Sequence, residues 1–162
     1  MPLLMNRESR AAAPKEQAPV SHIVAHTIVK SGAGDLVFTL RSSSDKYYPG
    51  KMNQVTEHLE RGETPLKAAL RGLSEELGLR IAPERMEGLG RIKIEDMNYN
   101  IRIYASVFTL RLDEAELKGL RPTGETAGGS AIVMPLALLP GFSDRLSKVD
   151  QEVLRDFAGS LR

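Results

Sequence analysis

The stretch GETPLKAALRGLSEELGL (62–79) decides how the chain is read. Thr64 suits an N-cap and Pro65 the first helical position. Leu66, Ala69, Leu70, Leu73 and Leu77 recur at helical spacing and make one apolar stripe. Gly78 stands where a left-handed residue ends a helix. The pattern predicts a helix over 64–77. With ~100° per residue and Leu66 at zero, Arg71 falls at about 140°, Glu75 at about 180°, Gly72 at about 240° and Glu76 at about 280°. Glu63, just before the helix, can fold back towards Arg71. Carboxylates crowded in this way favour a hard divalent cation, Mg2+ or Mn2+. Taken alone, a Glu-Glu pair on a helix reads more simply as a solvated face.

Strands are expected on both sides of this helix. Ile23–Lys30 and Leu36–Ser42 are rich in β-branched residues and flank the turn cluster SGAGD, which predicts a hairpin. Met52–Thr56 reads as a short strand. A second hairpin is expected from Gly90–Glu95 and Ile101–Leu112, with a loop at Asp96–Asn100. Asp113–Lys118 reads as a helical turn, Thr123–Ser130 as a Gly-rich loop and Ala131–Met134 as a short strand. Ser143 or Ser147 opens a final helix with Leu146, Val149, Val153, Leu154 and Phe157 on one face. Strands around one central helix, with a second helix closing the chain, predict an α/β fold with a mixed sheet between helices.

Composition narrows the function. The 162 residues suit one domain, with 41% hydrophobic and 27% charged residues. Residues 1–20 mix Ala, Pro, Lys, Glu and Arg without period and read as a mobile arm ahead of a single domain over 21–162. There is no cysteine, so thiolate metal sites and cysteine nucleophiles are excluded. A cytoplasmic location is the expectation. Lys and Arg number 22 against 21 Asp and Glu, which argues against a nucleic-acid binder. The longest apolar run, around 131–139, falls short of the ~20 residues of a membrane span. Monomer and homodimer both remain open.

Glu63, seven residues, Arg71, then LSEELGL resembles the Nudix box, G-x5-E-x7-R-E-U-x-E-E-x-G-U with U apolar. Upstream, PGKMNQVTEHLERGE fits in register the family's PGKWNLPGGHVEPGE, so the resemblance runs from about Ser21 to the C-terminus. It implies a Nudix-type α/β/α sandwich with a mixed β-sheet. It also implies metal-dependent hydrolysis of a diphosphate linkage in a small-molecule nucleoside diphosphate derivative. Carried over by position, Glu63, Arg71, Glu75 and Glu76 are the catalytic set, Glu75 and Glu76 ligating Mg2+ or Mn2+ and Arg71 orienting Glu63. Two positions depart from the pattern. Glu57 replaces the opening glycine, and Gly72 replaces the glutamate after the arginine.

On the wheel, Gly72 removes the middle carboxylate of the metal-facing arc, so Gly72→Glu is expected to restore it. Glu57 is a candidate replacement ligand; Glu95, Asp96 and Glu125, all expected on loops, are others. Candidate substrate contacts are Arg41, His58, Glu95, Tyr99 and Glu125. Arg41 lies in FTLRS (38–42), which faintly resembles a stretch of family members acting on coenzyme A; the rest of that signature is absent. Tyr47, Tyr48 and Tyr99 are candidates to stack on a base. His22 and His26, about 13 Å apart on one strand face, read as surface or packing residues. Gly72 also favours a competing reading, a catalytically weak or inactive Nudix module that binds a nucleotide-like ligand or a protein partner.

Overall fold

The computed structural model describes residues 16–122 and 131–161. Its centre is a seven-stranded sheet. Strands β1 (Val20–Lys30), β2 (Leu36–Leu40), β3 (Met52–Asn53), β5 (Glu87–Asp96) and β6 (Ile101–Arg111) run in the order β3-β2-β1-β6-β5. Two short strands join off this path, β4 (Val55–His58) on β1 and β7 (Ile132–Met134) on β2. The first hairpin forms, and so does the second, but the central contact is one that neither hairpin announces. β1 and β6 pair in parallel from Val20↔Ile101 to Lys30↔Arg111. Every residue of β1 from Val24 to Lys30 is buried, as a strand covered on both faces must be.

Alternation along the strands feeds two layers. Val24 and Ile28 of β1, with Ile101, Ile103 and Val107 of β6, pack with Val149, Val153 and Leu154. Those last three lie on the closing helix α3 (Lys148–Asp156), capped by Ser147, the second of the two expected caps. Val29, Leu110 and Leu112 face the other way, onto Leu73 and Leu77. These belong to α1 (Pro65–Leu77), whose N-cap Thr64 accepts from the Lys67 amide. Gly78 ends α1 at φ 70°, and an added Cβ there would stand 2.9 Å from Arg121 Cβ, so glycine is required twice over. Helix, mixed sheet and helix form the expected sandwich. The turn at 113–118 is the short helix α2 (Glu114–Lys118), capped by Asp113.

Several expectations are corrected. Val20 belongs to β1, its amide donating to Asn100, so the predicted arm overlaps the sheet. The strand expected over 52–56 is two strands broken at Gln54, whose amide donates to Asp150 instead of a ladder partner. Glu95 and Asp96 lie on β5 and not on a loop. The buried residues of α1 are Ala68, Ala69, Gly72, Leu73 and Leu77, whereas Leu66 and Leu70 are only half-buried. The buried arc is therefore centred at about 290° on the same wheel, not at Leu66. Small side chains let α1 approach β4 closely, and Leu66 and Leu70 are left at the rim. The predicted Thr123–Ser130 loop lies outside the described residues.

Candidate active site

β4, α1 and the turn between them bring three carboxylates around one guanidinium. Arg71 donates through Nε and Nη2 to Glu63 at 3.1 and 3.0 Å. Its Nη2 also donates to the His58 carbonyl at 2.8 Å, tying the helix to the end of β4. Nη1 faces Glu57 Oε1 at 3.3 Å and Glu75 Oε2 at 3.5 Å. Glu63 also accepts from the Glu60 amide. The Arg71 bonds and then that amide hold the Glu63 carboxyl below its ordinary range. The bidentate bond to Glu63 in turn raises Arg71. Both remain charged at any physiological pH, so this pair is a fixed strut.

Gly72 falls between Glu75 and Glu76 as the helical wheel has it, but that arc faces β4 and not open cavity. It is buried against β4, and a Cβ there would stand 3.0 Å from both Glu57 Cβ and Val55 Cγ1. The direction expected for an added glutamate, between Glu75 and Glu76, is already occupied by β4. Glu57 is the side chain that fills this space. It accepts the His58 amide and the Arg71 contact through the same oxygen, Oε1. The two departures from the box pattern are thus neighbours, one side chain present where the other is missing.

A cavity of about 400 Å³ opens beside this cluster. Glu57, Glu75 and Glu76 line one side; His22, His58, Tyr47 and Arg41 line it elsewhere, and Thr56 and Ser147 also reach it. His22 Nδ1 and His58 Nε2 are 3.0 Å apart, with the Tyr47 ring edge-on to His22. Burial, His58 and Lys46 hold His22 below its ordinary pKa. Arg41 donates to the Tyr47 carbonyl at 2.9 Å and pairs with Asp45.

Of the residues expected from sequence, Glu57, Glu75, Glu76, Arg41 and His58 line the cavity, while Glu63 and Arg71 brace its acidic side. Tyr99 does not line it; it packs edge-on to Tyr47 and Tyr48 and accepts from the Tyr48 amide. Glu95 is exposed on β5, paired with Arg102 and Lys93. Asp96 is buried and accepts from the Tyr48 hydroxyl. Glu125 lies outside the described residues. His22, read as a surface or packing residue, Ser147, read as a helix cap, and Thr56, read as a strand end, were not expected at the cavity. A polar residue every second or fourth position within the apolar run of β1 was the available signal, and it gave no partner.

The oxygen donors on the acidic side suit Mg2+ or Mn2+ in kind. Among the described residues, however, no three His, Asp or Glu groups converge on a common point in this arrangement. Arg71 engages one oxygen each of Glu57 and Glu75 instead. No described helix is long and apolar enough to cross a membrane.

A NUDIX domain family model matches residues 20–157. The chain therefore belongs to the Nudix family. Solved structures share its fold at low identity. The MutT protein from Methanosarcina mazei Go1 gives a TM-score of 0.72 at 14% identity, over 90% of this chain and 98% of that one. A bifunctional NMN adenylyltransferase/ADP ribose pyrophosphatase from Francisella tularensis, complexed with AMP and a Mn ion, gives 0.71 at 13% identity. There the match covers 89% of this chain and 43% of the larger protein. A C. elegans Ap4A hydrolase gives 0.62 at 16% identity, over 86% and 97%. No curated protein matches the sequence.

Proposed function

We propose that the chain hydrolyses a diphosphate linkage in a nucleoside diphosphate derivative, with Mg2+ or Mn2+ held by Glu75, Glu76 and Glu57. The observation that carries this reading is the placement of Glu57 against Gly72, which returns a carboxylate to the cavity at the point where the box pattern loses one. Glu57 Oε2, the oxygen turned to neither Arg71 nor His58, is the donor available to the ion. The bound ion would neutralise charge on the phosphate oxygens and make a water molecule more nucleophilic. The chain's own groups do the rest. Arg71 and Glu63 hold β4 and α1 at a fixed separation, so the three acids keep one spacing. Tyr47 and the His22–His58 pair offer flat, partly apolar surface to a base or sugar. Arg41 supplies a positive charge for a second phosphate.

Substrate class follows the proteins of like fold, whose printed names include an ADP ribose pyrophosphatase and an Ap4A hydrolase. The test is product release from ADP-ribose, diadenosine tetraphosphate and nucleoside triphosphates, with Mg2+ or Mn2+, by wild type and Glu76→Gln. Turnover by wild type that falls sharply in the variant is expected. Equal turnover removes Glu76 from the site.

One observation favours a second reading. Without a third acid on the helix and without a convergent trio among the described residues, the cavity suits a binding module that holds such nucleotides uncleaved. Saturable binding of ADP-ribose with no turnover under either metal would select it.

A further inference from the structure

Behind the cavity wall lies a buried pair of ionisable groups that the proposed chemistry does not use. His26 of β1 and Asp150 of α3 are both fully buried. His26 Nε2 faces Asp150 Oδ1 at 3.6 Å. On the other edge of the ring, Nδ1 lies 2.7 Å from Thr56 Oγ1. Thr56 stands opposite His26 in the β1–β4 ladder and lines the cavity. Among the described residues His26 Nε2 has no hydrogen-bond partner, and the Asp150 carboxyl just beyond hydrogen-bond reach is the group it faces, so a carboxyl, an imidazole and a hydroxyl stand in line from the core to the residues lining the cavity.

Each member has its remaining partners fixed. Asp150 Oδ1 accepts the Gln54 amide at 2.9 Å, and Oδ2 accepts the Ser147 hydroxyl. The Thr56 hydroxyl has one further protein acceptor, the Gln54 carbonyl at 3.5 Å. That leaves two arrangements. When the pair holds no extra proton, Nε2–H points at the Asp150 carboxylate and Nδ1 is an acceptor. Thr56 must then donate to Nδ1, and its oxygen meets the cavity only as an acceptor. When the pair gains one proton, Nδ1 carries a hydrogen and donates to Thr56. This holds when the added proton makes His26 an imidazolium or sits on Asp150 Oδ1, the oxygen that faces Nε2. The Thr56 O–H is then freed from Nδ1, and a ligand acceptor in the cavity competes for it only with the long bond to the Gln54 carbonyl.

We propose that His26 and Asp150 are positioning residues that set whether Thr56 offers a hydrogen-bond donor or an acceptor to the ligand. A diphosphate oxygen accepts only, so it selects the protonated arrangement, and binding such a ligand draws one proton into the core. Burial pushes Asp150 up to about 7, against the lowering effects of Ser147, Gln54 and Arg41, so the switch falls in the physiological range. Among the described residues, the groups bearing on Asp150 are His26 of β1, Arg41 after β2, and the neutral Ser147 and Gln54. The tautomer change stands independently of the proposed activity; only the ligand preference rests on that reading.

Nitrogen-15 NMR of the histidine rings, in the full ligand-free chain between pH 5.5 and 8.5, tests the switch directly. The expected result is a His26 Nδ1 that carries a proton at the acid end and none at the alkaline end, with a midpoint near 7. In Asp150→Asn the side-chain carbonyl must stay on the Gln54 amide, so Nε2–H is expected throughout. One tautomer across the whole range in wild type overturns the proposal, whatever the variant does. The affinity for ADP-ribose, whose phosphates do not titrate in this window, gives the second readout. It should weaken about tenfold from pH 6 to 8 in wild type and in Thr56→Ser, and show no such dependence in Thr56→Val. Equal pH dependence in Thr56→Val removes Thr56 from the relay. Failure of wild type to bind ADP-ribose at all would instead sink the proposed substrate class, and the NMR result would still decide the switch.

Discussion

The acidic side of the cavity and the pair beneath it handle charge in opposite ways. Around Arg71, Glu57, Glu63 and Glu75 share a guanidinium that cannot lose its proton, and water reaches them. Glu75 is 59% exposed in its side chain, and even Glu63 retains 12%. At His26 and Asp150 exposure is zero, and among the described residues no guanidinium or ammonium pairs with either group, Arg41 acting on Asp150 only as a lesser lowering influence. Burial there acts against both charges, pushing Asp150 up to about 7 and His26 down to about 3. The contrast teaches that a carboxylate's role follows from who compensates it. A compensated cluster is a fixed electrostatic surface, whereas an uncompensated pair is a place to store a proton.

The largest effects should come from breaking the pair. Below about pH 6.5 an unfolded His26 gains a proton that the native one refuses, so its contribution to stability is lost as pH falls from 6.5 towards 3. Asp150 does the reverse. Its native pKa is raised above the unfolded 3.8, so its contribution is present at low pH and lost as pH rises through 3.8 towards 7. In wild type the two slopes oppose and nearly cancel over about pH 4.5–6. Asp150→Asn leaves His26 alone, and urea denaturation should show stability falling on acidification by up to about 1.4 kcal/mol per pH unit. His26→Asn should show the opposite slope. Parallel pH profiles for wild type and both variants would mean the pair does not titrate as described.

On the acidic side, Glu76→Gln should lower metal-dependent turnover, or metal affinity measured by calorimetry, by about 10- to 100-fold. Stability should barely change, since Glu76 is not a core residue. A smaller step separates the two readings of position 72. Gly72→Ala gains about 1 kcal/mol of helix propensity but drives a Cβ to 3.0 Å from Glu57 and Val55, at a typical overpacking cost of about 1–3 kcal/mol. A net loss of about 1 kcal/mol in thermal denaturation is expected. Gly72→Glu should be no better and should not raise turnover. Adding Glu57→Gly should recover part of the stability, Val55 still crowding the site. A stabilised, more active Gly72→Glu would show that position 72 faces the cavity after all. Smallest of all, Glu95→Gln should leave turnover unchanged, because that side chain pairs with Arg102 on the far strand.

What the sequence made legible was local. The caps, length and polar acids of α1 all follow from residues within one turn of each other, and the box spacing fixes the family. What Gly72 faces was not legible, because a wheel gives relative angles only and the buried arc was taken to be centred on Leu66. Which face of α1 is buried is set by β4, and the small residues Ala68, Ala69 and Gly72 mark it better than the leucines do. The parallel β1–β6 contact, the His22–His58 contact and the His26–Asp150 pair join residues separated by 36 to 124 positions. No periodicity reports such distances. The loop expected from Asp96 starts one residue later because β5 runs through Asp96, past the end of the expected Gly90–Glu95 strand.

The close approach of position 57 to position 72 also has a consequence for descent. With the two Cβ sites 3.0 Å apart, helix and strand at this spacing leave room for one full side chain, not two. A lineage moving its acid from helix to strand would pass through an intermediate either overfilled or empty at this spot. The empty route, glycine at both positions, is the passable one: it loses an acid but creates no collision. Chains with this spacing should therefore hold a carboxylate at one position or the other, or at neither, and variants bearing bulk at both should be rare in any library selected for folding.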